Sequence, residues 1–130
     1  MDEQATARQR AALGAAFAGI GVALGAFGTH SLRDRVTPRN LEIFQTGVQY
    51  QTVHGLAIIV LAVAGVVLGR SMKVPTALMA FGIVIFGGSL YALALGAPRI
   101  LGAVAPIGGA SLIAAWAIAA YLLLKSATSN

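Results

Sequence analysis

The stretch from Gln45 to His54 holds most of the side chains in this sequence that could do chemistry, and it comes just before a long apolar run. On a helix, Gln45 and Gln49 fall on one side, whereas Gln51 and His54 fall on nearly the opposite side. Two polar sides cannot both face lipid, so at least one of them is expected to face protein or water.

His54 has two interpretations. Its imidazole could hydrogen-bond a neighbouring carbonyl group or Ser89 and hold helices together, which we favour, or it could handle a ligand or a proton. His30 and His54 together could supply half of a metal site, but no Asp, Glu or Cys lies in the apolar blocks to complete it. We therefore expect neither a metal ion nor a cofactor.

The tyrosines and glutamines also fit two roles each. Tyr50 and Tyr91 are either aromatic anchors at the membrane interface or hydrogen-bond donors to a polar ligand. The glutamines either belong to a packed network or are exposed at the headgroup level. The sequence has no Ser-His-carboxylate grouping, no phosphate-binding loop and no acidic pair in an apolar block. We expect that the protein is not an enzyme.

The composition places these side chains in a membrane. The chain has 130 residues, of which 58% are hydrophobic and 10% charged, with a mean hydropathy of +0.82, whereas ordinary domains are about 25% charged. About 20 helical residues cross a hydrocarbon core about 30 Å thick. We predict one transmembrane domain over residues 1–130, with spans at approximately 11–29, 52–69, 75–95 and 103–124.

A helix start signal precedes the second span. Thr37 can act as the N-cap residue and Pro38 can occupy the first helical position. We predict that residues 38–51 form an amphipathic interfacial or tilted helical segment leading into the second span. The predicted fold class is an all-α integral membrane four-helix bundle with up-down-up-down topology.

This topology groups the polar residues, because short connections force consecutive spans to alternate in direction. The end of the first and third spans then shares a membrane side with the start of the second and fourth. We call the polar residues predicted at this side, a candidate ligand or helix-packing site, the polar-end cluster. Its members are His30, Gln45, Gln49, Tyr50, Gln51, His54, Ser89 and Tyr91.

Glycines in the first and third spans predict close helix packing. Gly21 and Gly25 form a Gly-x-x-x-Gly pair, and Gly87 and Gly88 are adjacent in the third span. Small residues four apart let two helix backbones approach each other in lipid. In a chain with 16 glycines, the same motif can also follow from composition alone.

The basic residues lie at the ends of the apolar blocks, which is typical of membrane-flanking charge rather than of nucleic-acid binding. The net charge is +5 and the sequence lacks cysteine, which excludes disulfides. By the positive-inside rule, the chain termini are predicted to be cytoplasmic, by a margin of one residue. The side with the termini has Arg8, Arg10, Arg70, Lys73 and Lys125, and the other has Arg33, Arg35, Arg39 and Arg99.

Four segments of the sequence form a recognisable set, namely residues 25–32 (GAFGTHSL), 45–51 (QTGVQYQ) followed by His54, 86–91 (FGGSLY) and 101–109 (LGAVAPIGG). They resemble the small bacterial membrane proteins of domain of unknown function 423. The sequence departs from this YgdD-like family, which extends to a eukaryotic transmembrane relative, at Thr29 and Ser31, where the family commonly has Ala and Gly. The resemblance implies a multi-pass protein of the bacterial inner (plasma) membrane without an established activity.

Two functions fit these observations. The first is a structural or accessory component that packs with other membrane helices or lipids, with the bilayer, a second copy or another membrane protein as partners. The alternative is a small transporter or channel with a polar site at the end that carries His30 and His54. The absence of charged residues in the middle of the spans weakens this alternative.

Overall fold

A computed structural model describes residues 2–125, and within this range the ordered elements are helices. Four of them are long and apolar enough to cross a membrane, which confirms the predicted all-α four-helix architecture. Short connections over residues 33–37, 69–72 and 95–100 join consecutive helices. The helices are α1 (Glu3–Leu32), α2 (Pro38–Leu68), α3 (Lys73–Ala94) and α4 (Leu101–Leu124).

Two of these helices contain a π-helical turn. The last turn of α1, Gly28–Leu32, is π-helical, and α3 consists of α-helical parts, Lys73–Gly82 and Gly88–Ala94, on either side of the π-helical turn Ile83–Gly87. A π turn adds a residue to the helical repeat, so the side chains after it are rotated relative to a regular α-helix. The directions of Ser89 and Tyr91 therefore depend on this turn.

The second helix begins where its start signal predicted. The Thr37 Oγ1 accepts a hydrogen bond from the Asn40 N–H at 3.1 Å, and Gly69 ends the helix in a left-handed conformation with φ of 63°. The structure joins the predicted segment 38–51 and the second span into one unbroken helix of 31 residues. At 1.5 Å per residue its length is about 46 Å, which exceeds the hydrocarbon thickness of a bilayer.

The helix α2 is central. It packs along α1 on one side and along α3 on another, and α4 packs along α3. The larger apolar cluster includes Ile58, Met79, Leu112 and Ala115, all at most 3% exposed. A smaller apolar cluster, around Phe44, lies near the end of the bundle where α1 ends and α2 begins. The buried polar residues of α2 lie between these two clusters along the helix.

Glycines allow the closest helix contacts. On the seam between α1 and α2, Gly14 faces Gly55, and a methyl group on Gly55 would lie 2.8 Å from the Gly14 carbonyl oxygen. Gly21 lies against Thr52 on the same seam. Gly25 lies against Val48, and a methyl group added to Gly25 would lie 3.3 Å from the Val48 side chain.

The seam between α3 and α4 uses other glycines than the predicted pair. Gly82 lies against Leu112, and Gly108 lies against the backbone of Phe86. Gly87 is buried near the Tyr91 ring, whereas a methyl group on Gly88 would have nothing within 4 Å. Gly88 is therefore exposed rather than packed against a neighbouring helix.

Candidate functional site

Gln51 on α2 joins three helices through its side-chain amide. It is 5% exposed. Its Nε2 donates a hydrogen bond to the Phe17 carbonyl oxygen on α1 at 2.9 Å, and its Oε1 accepts one from the Tyr91 hydroxyl on α3 at 2.7 Å. Both ends of the amide are thus occupied by protein groups on neighbouring helices.

His54 lies one turn further along α2 and is also 5% exposed. Its Nδ1 lies 2.7 Å from the Tyr50 carbonyl oxygen, and its Nε2 accepts a hydrogen bond from the Trp116 indole on α4 at 2.9 Å. An indole N–H can only donate and a carbonyl oxygen can only accept. The hydrogen of the imidazole is therefore on Nδ1, and the ring is neutral with both nitrogens engaged.

Aromatic rings enclose this imidazole. The Tyr50 ring stacks on it with centroids 5.9 Å apart and an interplanar angle of 14°, and the Trp116 ring meets it edge-on at 5.8 Å. Tyr50 also packs on Phe86 of α3 at 4.9 Å between centroids. Because Tyr50 is 42% exposed, it forms the outer wall of the site.

The structure places these residues near the middle of α2. Gln51 and His54 are 13 and 16 residues beyond Pro38, or about 20 and 24 Å along a helix about 46 Å long. Their partners Phe17 and Trp116 are likewise well inside α1 and α4. We call the hydrogen-bonded group of Gln51, His54, Tyr91 and Trp116 the mid-bundle network.

Four other members of the polar-end cluster lie outside this network. Gln45 and Gln49 are exposed and line an open surface groove of about 540 Å³ with Arg39, Glu42 and other residues. His30 is exposed in the π-helical turn of α1. Ser89 is buried, at 6% exposure, but the His54 ring bonds to Tyr50 and Trp116 instead.

The sequence interpretation missed three polar contacts between helices. Trp116, the single tryptophan, lies in the middle of α4, and its N–H needs an acceptor there, which was a usable signal. The Phe17 contribution is a main-chain carbonyl group, which no residue type reveals. Ser111 joins α4 to α3 by donating to the Leu78 carbonyl oxygen at 2.8 Å.

A further polar contact closes the end of the bundle that carries the termini. The Arg70 guanidinium donates to the Leu122 carbonyl oxygen in the last turn of α4. A cation at this position also interacts favourably with the negative end of the helix dipole.

The chemistry of the mid-bundle network is that of a hydrogen-bonded crosslink. In residues 2–125, each buried side-chain nitrogen or oxygen has a hydrogen-bond partner. The same part of the chain contains no group of three or more His, Cys, Asp or Glu side chains that could hold a metal ion. The arrangement joins α2 to the other three helices through side chains that are already satisfied.

Comparisons with known proteins identify relatives of this chain. The family described as "Protein of unknown function (DUF423)" matches residues 24–109. A UPF0382 membrane protein of Staphylococcus epidermidis is 40% identical over 115 residues, covering 88% of this chain and 94% of the relative. The UPF0382 membrane protein YwdK of Bacillus subtilis is 41% identical over 115 residues, covering 87% and 94%.

The UPF0382 inner membrane protein YgdD of Escherichia coli K12 is 43% identical over 103 residues, covering 76% of each chain. No solved structure matches this chain.

Proposed function

The chain belongs to the DUF423 (UPF0382) family of bacterial membrane proteins, and on this premise we propose that it is a structural or accessory component of the inner membrane. In this role, the four-helix bundle packs against other membrane helices or against lipids by its outer surface. No solute passes through it.

The observation that carries this proposal is that the polar side-chain atoms of Gln51 and His54 each bond to a protein group. A pathway for ions or solutes needs polar groups that face water or the solute at membrane depth. Here both ends of the Gln51 amide and both nitrogens of the His54 ring are bonded to protein groups. The polar groups at this depth therefore support helix association.

The outer helices supply the surface that such a component needs. In the most apolar part of each helix, 17% of the residues are buried for α1 and 22% for α4. The corresponding share for α2 is 44%. Val22 on α1 and Ile113 on α4 are 69% and 73% exposed. These faces are free to contact lipid tails or the helices of another protein.

A flux assay separates this function from that of a small transporter or channel. We expect purified protein in liposomes to pass no more protons, potassium ions or small solutes than empty liposomes do. Flux above that background would contradict the proposal, most directly if His54→Phe abolished it. A His30→Asn variant is the matched control, because His30 is the other histidine and lies outside the network.

Site-specific photocrosslinking in native membranes tests the accessory role itself. A crosslinker at Val22 or Ile113 should give a discrete adduct with a protein or a lipid. The same group at Met79, which is fully buried, should give adducts within the chain alone. Equal adduct patterns from exposed and buried positions would contradict packing by the outer surface.

A further inference from the structure

A groove separates α1 from α3 near the end of the bundle that carries the termini. In the described residues α1 packs along α2 and has at most marginal contact with α3. The resulting groove has a volume of about 380 Å³. Leu13 lies on its α1 side and Ala77 and Ala80 on its α3 side, with the fully buried Ile58 of α2 also lining it. The small side chains of α3 leave this space open.

Two basic residues from different helices also line this groove, Arg10 of α1 and Lys73 of α3. Within residues 2–125 the ion pair that the structure contains joins Arg39 to Glu42, at the opposite end of the bundle, so a carboxylate holds neither cation. Lys73 is also the first residue of α3, where the helix dipole adds positive potential.

The groove orders charge and apolar surface along the depth of the membrane. Lys73 lies at the start of α3, and Ala80 follows seven residues later, or about 10 Å further into the bundle. On α1, Leu13 lies about one turn deeper than Arg10. Cations at the end and apolar side chains towards the middle match the order of phosphate and acyl chain in a phospholipid.

We propose that this groove binds one anionic diacyl phospholipid. Its phosphate lies between Arg10 and Lys73, and the upper part of one acyl chain lies over Leu13, Ala77 and Ala80. Basic pockets between transmembrane helices recognise anionic headgroups in this way. An apolar helix from another protein would bring no counter-charge to the two cations. The inference rests on the proposed function in taking the outer surface of the bundle as its binding surface.

Arg8 offers a matched control on the same helix. It lies two residues before Arg10 and lines a different apolar groove, between α1 and the end of α2, with Ala62 and Val66 among the other residues. Replacing it removes the same charge from the same end of the bundle but leaves the proposed site intact.

Native mass spectrometry of the full-length protein in mixed micelles tests the headgroup part. The probes are phosphatidylglycerol and phosphatidylcholine with identical acyl chains. The wild-type protein should retain one phosphatidylglycerol in preference to phosphatidylcholine. The double variant Arg10→Gln/Lys73→Gln should bind it about 30-fold more weakly, from the usual contribution of two basic residues near an anionic headgroup. Arg8→Gln should change binding less than about threefold.

An Ala77→Leu variant tests the acyl part, because it fills the groove while both cations remain. Ala77 is exposed, so the variant should fold as the wild type does, which circular dichroism checks. We expect it to lose phosphatidylglycerol retention. Retention at the wild-type level, or competition by inorganic phosphate, would overturn the lipid assignment in favour of a phosphate site.

Equal retention of the two lipids, or equal losses in the double variant and Arg8→Gln, would also overturn it. None of these results bears on the flux assay that tests the proposed function, so the two failures are distinguishable.

Discussion

At His54 the two ring nitrogens have different neighbours, and this difference fixes the state of the ring. Nδ1 faces the Tyr50 carbonyl oxygen and Nε2 faces the Trp116 N–H. A second hydrogen on the ring would point from Nε2 at the indole donor, and this would break the contact between α2 and α4. The residue that most resembles a reactive group therefore acts as an acceptor for a neighbouring helix.

Replacing Trp116 should show how much its hydrogen bond to His54 contributes to stability. We expect Trp116→Phe to lower the free energy of unfolding by about 0.6–2 kcal/mol, the range for a hydrogen bond between membrane helices, plus the loss of indole packing. Equilibrium unfolding in mixed micelles, followed by circular dichroism, measures the change. Tyr121→Phe is the control, because Tyr121 is 62% exposed near the end of α4. Equal effects of the two variants would contradict the assigned bond.

Gln51 and Tyr91 should be energetically coupled. A double-mutant cycle of Gln51→Leu and Tyr91→Phe should give a coupling free energy of about 0.6–1.7 kcal/mol, because each single variant leaves the other group without its partner. The same cycle with Gln49→Leu in place of Gln51→Leu should give a value near zero, since Gln49 is exposed on the opposite side of α2. Coupling of the same size in both cycles would contradict the hydrogen bond between Tyr91 and Gln51.

At the scale of elements, the seam between α1 and α2 depends on glycines that face each other. Gly55 meets the Gly14 carbonyl oxygen and the Ala18 backbone nitrogen, so there is no room for a methyl group. The polar bond from Gln51 to the Phe17 carbonyl oxygen crosses this same seam. Close backbone approach and the hydrogen bond therefore support each other.

A single methyl group should separate the two helices. We expect Gly55→Ala to lower the free energy of unfolding by about 1–3 kcal/mol, as overpacking does. The control is Gly19→Ala on the same seam-forming helix α1, which has nothing within 4 Å of the added methyl group and should leave stability unchanged or slightly higher. Thermal unfolding of both variants in the same detergent provides the comparison, and a larger loss for Gly19→Ala would refute the seam.

Local chemistry let the sequence predict the helices but not their rotations. Thr37 and Pro38 predicted the start of α2, and the four apolar blocks predicted the four helices. The partner of His54 on α4 was not predictable, because the contact depends on how α4 is rotated. Gly108 of α4 approaches Phe86 within the π-helical turn Ile83–Gly87, and this turn adds a residue that the 3.6-residue period does not anticipate.

The position of His54 along its helix was not predictable either. The sequence predicts that the polar run over residues 38–51 is an interfacial segment before a span that begins at residue 52, and where the membrane lies along this helix stays a prediction. In the structure that run belongs to the same unbroken helix, so His54 lies near its middle. The exposed members of the polar-end cluster are His30, Gln45, Gln49 and Tyr50.

For the whole molecule, the side of the membrane that carries the termini stays a prediction. The chain has no cysteine, so single cysteines can report it. We expect a membrane-impermeant maleimide to label Ser31→Cys in intact cells, and to label Ser71→Cys after permeabilisation alone, because the termini are predicted to be cytoplasmic. Ser31 and Ser71 are exposed on opposite sides of the bundle. The reverse labelling pattern would invert the topology.

In the whole bundle, the buried polar side chains bond to other protein groups, and many apolar side chains are exposed on the outer surface. The mid-bundle network connects α2 to α1, α3 and α4, and the groove between α1 and α3 presents two cations above apolar side chains. Both features favour binding of lipids or other proteins at the outer surface rather than inside the bundle. The position of the hydrogen on the His54 ring distinguishes a helix-packing role of this residue from a pathway through the interior.

Solid-state nitrogen-15 NMR of the protein in bilayers at neutral pH measures that position, with His30→Asn assigning the His54 signals. We expect a hydrogen on Nδ1, none on Nε2, and a through-space correlation between Nε2 and the Trp116 indole hydrogen. A hydrogen on Nε2, or no correlation with Trp116, would contradict the helix-packing role of His54.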